Sequence, residues 1–295
     1  MQRFAFAPAK INLLLAITGI RPDGFHSLTS LVAPIGLGDM LCLSPSREIG
    51  AGDVLECDSP SVPTDSSNLV LKAAAIFRKH FPALPDVYFI LKKRVPHGAG
   101  LGGGSSDAAC ALRLLNEFTG YPFSNTQLAT LAATLGSDCP LFLENKPVVM
   151  RGRGEQIEPL PDEAVAALTG RRLLLFKPIF GVSTAEAYAA MKAAGGAEYL
   201  APAEAEARLA AWLAAPRHNP LPLLNNMEGV VFRKHLALPV LLEQLQADFG
   251  LAPRMSGSGS ACFAFLPADI ETAPIEARIH EAWGEAAFVG ETTLL

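Results

Sequence analysis

A chain of 295 residues, half of them hydrophobic and 18% charged, carries enough apolar surface for a substantial core and about two domains. That balance excludes a disordered or low-complexity protein. The net charge of −5, with no basic cluster larger than Lys92-Lys93-Arg94, leaves no electrostatic footprint for nucleic acid.

Strand-like residues 3–17 open the chain and are interrupted at Pro8; Arg21-Pro-Asp-Gly24 is a turn signal. Apolar segments at 28–35 and 39–43 follow as two further strands, and the polar, Ser/Pro-rich residues 44–67 read as loop. A helix is expected over about 68–80, with Leu69, Ala73, Ile76 and Phe77 on one face. Strand 87–95, a glycine-rich loop, a helix with Ser105 and Ser106 at its start and an apolar-periodic run over 108–118, and helix 126–135 come next, the last ended by Gly136. Short strands are expected near 141–143 and 148–150. Gly, Pro and charge over 151–170 mark a domain boundary, giving domains 1–160 and 161–295. The second carries strand 172–176, helices 183–194, 203–215, 223–235 and 239–249, strand 261–266, helix 274–283 and strand 286–289. Strands and helices mix without a repeating βα unit, so the class is α+β rather than doubly wound.

The five cysteines (Cys42, Cys57, Cys110, Cys139, Cys262) are odd in number and lack metal-type spacing, so they read as reduced thiols. The apolar run 11–17 is too short to span a bilayer and follows Lys10 rather than a basic leader. A cytoplasmic protein with no membrane partner is expected.

Pro96-His97-Gly98-Ala99-Gly100-Leu101-Gly102-Gly103-Gly104-Ser105-Ser106 is the most informative stretch. Glycines let backbone N–H groups approach a ligand closely, and a helix N-terminus adds unpaired donors and a positive dipole end. Together they suit a phosphate cradle. Gly98-x-Gly100-x-x-Gly103 formally matches the dinucleotide fingerprint, but no strand with an acidic end follows the helix; no Lys follows the last glycine, so the Walker pattern fails too. A plain glycine-rich turn with a Ser cap remains the bland reading, and five glycines are costly for a turn alone.

Gly257, Ser258 and Gly259, within Met255-Ser-Gly-Ser-Gly-Ser-Ala261, form a second loop that adds backbone donors to the same ligand or merely connects a helix to a strand. Lys10 and Asn12 share one strand face. Lys10 reads either as a snorkelling edge residue or as a site cation. Asp138, in Leu135-Gly-Ser-Asp-Cys-Pro140, is either a turn carboxylate or the group that takes a proton from an alcohol. Phosphoryl transfer gives both charges a purpose, since its loose transition state needs positioning and charge stabilisation more than a strong base.

These segments together resemble the GHMP-type small-molecule kinases: Pro8-Ala-Lys-Ile-Asn12-Leu their first motif, 96–106 the ATP loop, and Ser256-Gly-Ser-Gly-Ser-Ala the third. The resemblance implies a two-domain α+β fold, with an N-terminal ATP-binding and catalytic domain like ribosomal protein S5 domain 2 and a ferredoxin-like C-terminal domain. It implies ATP and Mg²⁺ as cofactors and Lys10 and Asp138 as catalytic residues. Asn68, Leu69 and Lys72 would lie near the adenine. No metal-ligand set is assigned, although Ser106 stands within reach of a phosphate-bound ion.

Arg21-Pro-Asp-Gly-Phe-His26, Leu135-…-Pro140 and Arg151-Gly-x-Gly-Glu155 are similar to segments of one branch of these kinases. That branch phosphorylates the 2-hydroxyl of a cytidine diphosphate-linked methylerythritol in non-mevalonate isoprenoid synthesis. On this resemblance Phe25 stacks on the cytosine, His26 hydrogen-bonds it, Phe180 walls its other face, and Asn12 places the methylerythritol end. Phe25 stands where that branch has Tyr, and Asn226 where it has Asp. A homoserine or mevalonate-type kinase and a catalytically inactive nucleotide sensor are the alternatives. The expected partner is a small molecule, and the expected assembly a monomer or weak homodimer.

Overall fold

The structure, a computed structural model, describes residues 2–46, 50 and 52–295. In chain order the elements are β1 (Arg3–Ile20), β2 (His26–Pro45), β3 (Val54–Cys57), α1 (Leu69–His80), β4 (Val87–Lys92), α2 (Gly103–Phe118) and α3 (Asn125–Leu135). They continue with α4 (Leu141–Glu144), β5 (Val148–Arg151), β6 (Gln156–Pro159), α5 (Asp162–Leu168), β7 (Arg172–Lys177), α6 (Thr184–Ala193) and α7 (Pro202–Leu213). The last are β8 (Leu224–Asn225), α8 (Glu228–Lys234), α9 (Ala237–Phe249), β9 (Arg254–Met255), β10 (Cys262–Phe265), α10 (Ala273–Trp283) and β11 (Phe288–Thr293). The class is α+β, as expected.

Two compact units divide the chain, and each takes several segments. The first comprises the described parts of Met1–Ala9, Leu37–His97 and Gly102–Asn145. The second comprises Lys10–Gly36, Gly98–Leu101 and Lys146–Leu295. Strands β1 and β2 therefore contribute to both, and the glycine loop changes unit between His97 and Gly98 and again between Leu101 and Gly102.

In the first unit β4 lies antiparallel to the C-terminal half of β2 (Met40 opposite Lys92) and parallel to β3 (Leu55 opposite Phe89). The core beneath them joins Phe77, Phe89, Leu112 and Leu115. Helix α1 buries Val70, Ala73, Ala74 and Phe77, the spacing of one helical stripe. Asn68 caps it by accepting from Val70 N, and Arg78, Lys79 and His80 sit at its negative end.

In the second unit β7 lies between β10 and β11, all antiparallel, with β9 beyond β10. Helices α8, α9 and α10 close its core around Phe176, Leu241, Leu245 and Ile279. The N-terminal half of β2 pairs with β5 (Ser30 opposite Met150), and β8 runs parallel to β1 at Leu14 and Leu15.

Several elements depart from the sequence reading. β1 continues through Pro8: two residues on, the Lys10 amide donates to Leu101 O rather than to a strand, so this edge tolerates a residue without a donor. β2 is one strand instead of two, and β3 occupies part of the stretch read as loop. Residues 141–143 are helical, because Pro140 supplies a helical φ of −60° and a three-residue apolar run has no diagnostic period. Helix 223–235 is replaced by β8 and α8, since the Asn225 side chain accepts from Met227 N and starts the helix late. The 151–170 stretch holds β6 and α5.

Candidate active site

Within the second unit, Lys10 and Asn12 project from β1 beside both glycine loops. Lys10 is buried, and its Nζ donates to Asn12 Oδ1 and to Gly100 O, each at 2.7 Å. Asn12 Nδ2 donates to Ser30 Oγ at 2.9 Å, and Ser30 Oγ in turn to Leu14 O at 2.6 Å. Gly98 and Gly100 take positive φ (+62° and +75°), and a Cβ on Gly100 would stand 2.3 Å from Ser256 O. Glycine is required there by close approach of two backbones.

The second loop is bound to the first. Ala261 N donates to Ala99 O at 3.1 Å, and Ser256 Oγ lies 3.4 Å from both Gly100 O and Asn12 N. A Cβ on Gly257 would lie 3.2 Å from Lys10 Nζ, so the loop backbone rests on the ammonium. Asn225 Nδ2 donates to Met255 O and Gly257 O, both at 2.8 Å, while Glu228 accepts from Met255 N. Burial raises the Glu228 carboxyl above its ordinary range. Ser258 shares a hydrogen bond with Thr184 at 2.7 Å, and Gly259 N donates to Ser256 O.

The proposed acceptor residues also lie in this unit. Phe25 is exposed, with the Arg153 guanidinium 5.1 Å from its ring centre. His26 Nε2 is 3.1 Å from Tyr199 Oη, and its ring packs against Tyr188 at 4.9 Å. Burial, aided by the Lys192 charge, lowers the His26 pKa and favours a neutral ring. Phe180 stacks on His235 at 5.3 Å, and its carbonyl accepts from the buried Lys177 Nζ and from Ser260 Oγ.

Within the first unit, Pro96 and His97 lead into the loop, and Gly102 (φ +72°) caps α2 in a left-handed conformation. The helix begins at Gly103, two residues before the Ser105-Ser106 pair expected at its start, so Gly103, Gly104, Ser105 and Ser106 form its first turn. The Gly103, Gly104 and Ser105 amides have no intrahelical acceptor, which leaves donors for an anion, while Ser106 N donates to Gly102 O at 2.9 Å. Leu69 lies beside Gly104, whose added Cβ would meet Leu69 Cδ1 at 3.9 Å; Lys72 is exposed one turn along α1. Asp138 is half-buried in the turn before α4. Burial pushes the thiol of its neighbour Cys139 up to about 11, a rise that Ser105 opposes and the Asp138 charge reinforces.

Behind the first turn, Lys93 Nζ bridges two buried carboxylates, Asp39 and Asp107 (2.8 Å to the latter). Asp39 also accepts from Arg94 N and Val95 N. Burial raises Asp107 to about 7, with the Lys93 charge opposing and Asp39 reinforcing the rise.

Ser106 Oγ is buried, and among the described residues it has no hydrogen-bond partner. An orphaned hydroxyl in the first turn of a glycine-capped helix fits a phosphate-bound Mg²⁺, a hard ion that keeps few protein ligands. Among the described residues no group of three or more His, Cys, Asp or Glu is placed to hold a metal, and no helix is long and apolar enough to cross a membrane. The five cysteines are unpaired.

The structure thus gathers Lys10, Asn12, Gly98–Leu101 and Gly257–Gly259 in one unit, and Asn68, Leu69, Gly102–Ser106 and Asp138 in the other. Sequence reasoning missed Ser30, Asn225 and Lys177 as supporting groups. Asn225 lies in the Asn225-Asn-Met-Glu228 segment, where a paired amide and carboxylate was a usable signal; Ser30 and Lys177 left none.

Residues 68–145 match the family of GHMP kinases N terminal domain. The chain is 41% identical over 271 residues to the 4-diphosphocytidyl-2-C-methyl-D-erythritol kinase of Synechococcus sp. (strain CC9902), covering 88% of this chain and 86% of that protein. The kinase of the same name from Methylacidiphilum infernorum (isolate V4) is 40% identical, with 89% and 85% covered. A crystal structure of 4-(cytidine 5'-diphospho)-2C-methyl-D-erythritol kinase superposes with a TM-score of 0.76 at 34% identity, over 99% of each chain. Methanococcus jannaschii mevalonate kinase has a TM-score of 0.71 at 11% identity, with 100% of this chain and 99% of that one covered, a likeness of fold alone.

Proposed function

The chain belongs to the family of 4-diphosphocytidyl-2-C-methyl-D-erythritol kinases within the GHMP kinases, and on that premise we propose that it phosphorylates the 2-hydroxyl of this acceptor from ATP. The reaction is the kinase step of non-mevalonate isoprenoid synthesis. The observation that carries the site reading is the Lys10 ammonium, buried and held 2.7 Å from Gly100 O in the first glycine loop.

In this reading the acceptor oxygen attacks the γ-phosphorus, the bond to the β–γ bridging oxygen breaks, and ADP leaves. Asp138 orients the 2-hydroxyl and accepts its proton, which can transfer late because the phosphoryl group has already parted from its donor. Lys10 offsets the charge that develops on the transferring oxygens. The first-turn amides of α2, with the backbone of Pro96–Leu101 and Gly257–Gly259, bind the phosphates of ATP. Ser106 would meet Mg²⁺, which neutralises phosphate charge when bound. Asn68, Leu69 and Lys72 face the adenine. Phe25 and Phe180 stack on the cytosine, His26 hydrogen-bonds it, and Asn12 places the methylerythritol end. A neutral His26 can both donate and accept, which suits a pyrimidine edge.

Residues 1–160 make up the ATP-binding, catalytic domain in this proposal and 161–295 the C-terminal kinase domain. The enzyme works in the cytoplasm as a monomer or weak homodimer. The test is ADP release with each alcohol in turn: turnover with the cytidine diphosphate-linked acceptor supports the proposal, and turnover with homoserine or mevalonate alone overturns it.

A further inference from the structure

We propose that Ser30 is a positioning residue for the kinase step: its hydroxyl fixes the Asn12 amide so that Oδ1, and not Nδ2, faces the Lys10 ammonium. The argument is one of proton accounting. Ser30 Oγ carries a single hydrogen and gives it to Leu14 O at 2.6 Å. Towards Asn12 it can therefore only accept, and the 2.9 Å contact must come from Nδ2. The amide's oxygen is then left for Lys10 Nζ, at 2.7 Å.

The reversed amide fails at both ends. Nδ2 would oppose an ammonium that has only donors, and Oδ1 would face a hydroxyl oxygen whose hydrogen is committed elsewhere. All three side chains are buried, so water does not repair the mismatch. Ser30 is fixed in its turn by β2, opposite Met150 of β5. It is 1% exposed and reaches Lys10 only through Asn12, so it acts on the chemistry at second hand.

The inference rests on the reading of Lys10 and Asn12 as reacting-site residues. Its test is steady-state kinetics, with ATP and the cytidine diphosphate-linked acceptor, of Ser30→Ala, Ser30→Thr, Asn12→Ala and the Asn12→Ala/Ser30→Ala double variant, each with its thermal melting curve. Ser30→Ala is expected to lower kcat about tenfold while the KM for ATP stays within about twofold. Ser30→Thr, which keeps the hydroxyl, restores kcat, and Ser30→Ala has no further effect on kcat once Asn12 is Ala. Should Ser30→Ala not fold, Ser30→Cys, which replaces the hydroxyl by a weak donor and acceptor, is expected to lower kcat with a melting temperature near wild type. A wild-type kcat in Ser30→Ala, or the same loss with and without Asn12, overturns the proposal. Wild-type kinetics in Asn12→Ala would instead remove the reading beneath it and overturn it by that route.

Discussion

Gly257 rests its backbone on the Lys10 ammonium: a Cβ added there would lie 3.2 Å from Lys10 Nζ and 3.0 Å from Gly100 O. Its φ of +59° is also one that side chains adopt at a cost. Gly257→Ala is therefore expected to lower stability by about 1–2 kcal/mol and kcat at least tenfold. Denaturant unfolding and steady-state kinetics on the same preparation check both.

Gly98 and Gly100 separate two effects that a glycine loop usually mixes. Both have positive φ, but a Cβ on Gly98 meets nothing within 4 Å, whereas one on Gly100 would collide with Ser256 O at 2.3 Å. Gly98→Ala should cost about 1 kcal/mol of stability and Gly100→Ala more than about 3 kcal/mol. Equal unfolding midpoints would contradict the loop packing described.

Asn226 replaces an expected Asp, and its surroundings explain the amide. Nδ2 donates to Ile17 O and Glu198 O, each at 2.8 Å, while Oδ1 accepts from Ile17 N. A carboxylate would set an acceptor against two carbonyls. Asn226→Asp is expected to destabilise by about 1–3 kcal/mol at pH 7, and by less at pH 4 where the acid can donate. Urea midpoints at the two pH values check it.

Asp107 gives stability a pH dependence of unusual sign for a carboxyl. Its native pKa is raised to about 7, chiefly by burial, while in the unfolded chain it ionises near pH 4. Between those values the native state holds one more proton than the unfolded state, so this group's contribution falls as pH rises, by up to about 1.4 kcal/mol per unit. Above about pH 7 the contribution levels off. Unfolding free energies from pH 5 to 7 should fall more steeply in wild type than in Asp107→Asn; parallel curves would contradict the assignment.

The chain's long-period features were legible from sequence. The sequence places Leu69, Ala73, Ile76 and Phe77 on one face of α1. The structure buries Ala73 and Phe77 but sets Val70 and Ala74 in place of the half-buried Leu69 and Ile76, a small rotation about the helix axis. The glycines at 98, 100 and 102 take left-handed backbone. What was not legible depends on contacts distant in sequence. Pro8 reads as a strand break until Leu101 is seen accepting from Lys10, and α4 has too few residues to show a period. The interleaving of the two units, with β1 divided after Ala9, has no compositional marker. Of the site, glycines and charges declared themselves by type and spacing. Ser30 and Lys177 did not, because neither lies in a recurring motif, as Lys10 does in Pro8-Ala-Lys-Ile-Asn12-Leu.

The most direct measurement of the central claim is phosphorus NMR of the product formed from ATP and 4-diphosphocytidyl-2-C-methyl-D-erythritol. The account predicts one new phosphomonoester on the 2-hydroxyl per ADP released, and a rate at least about a hundredfold lower in both Lys10→Met and Asp138→Ala. A phosphate that appears only on homoserine or mevalonate, or variants of Lys10 and Asp138 that turn over like the wild type, would contradict it.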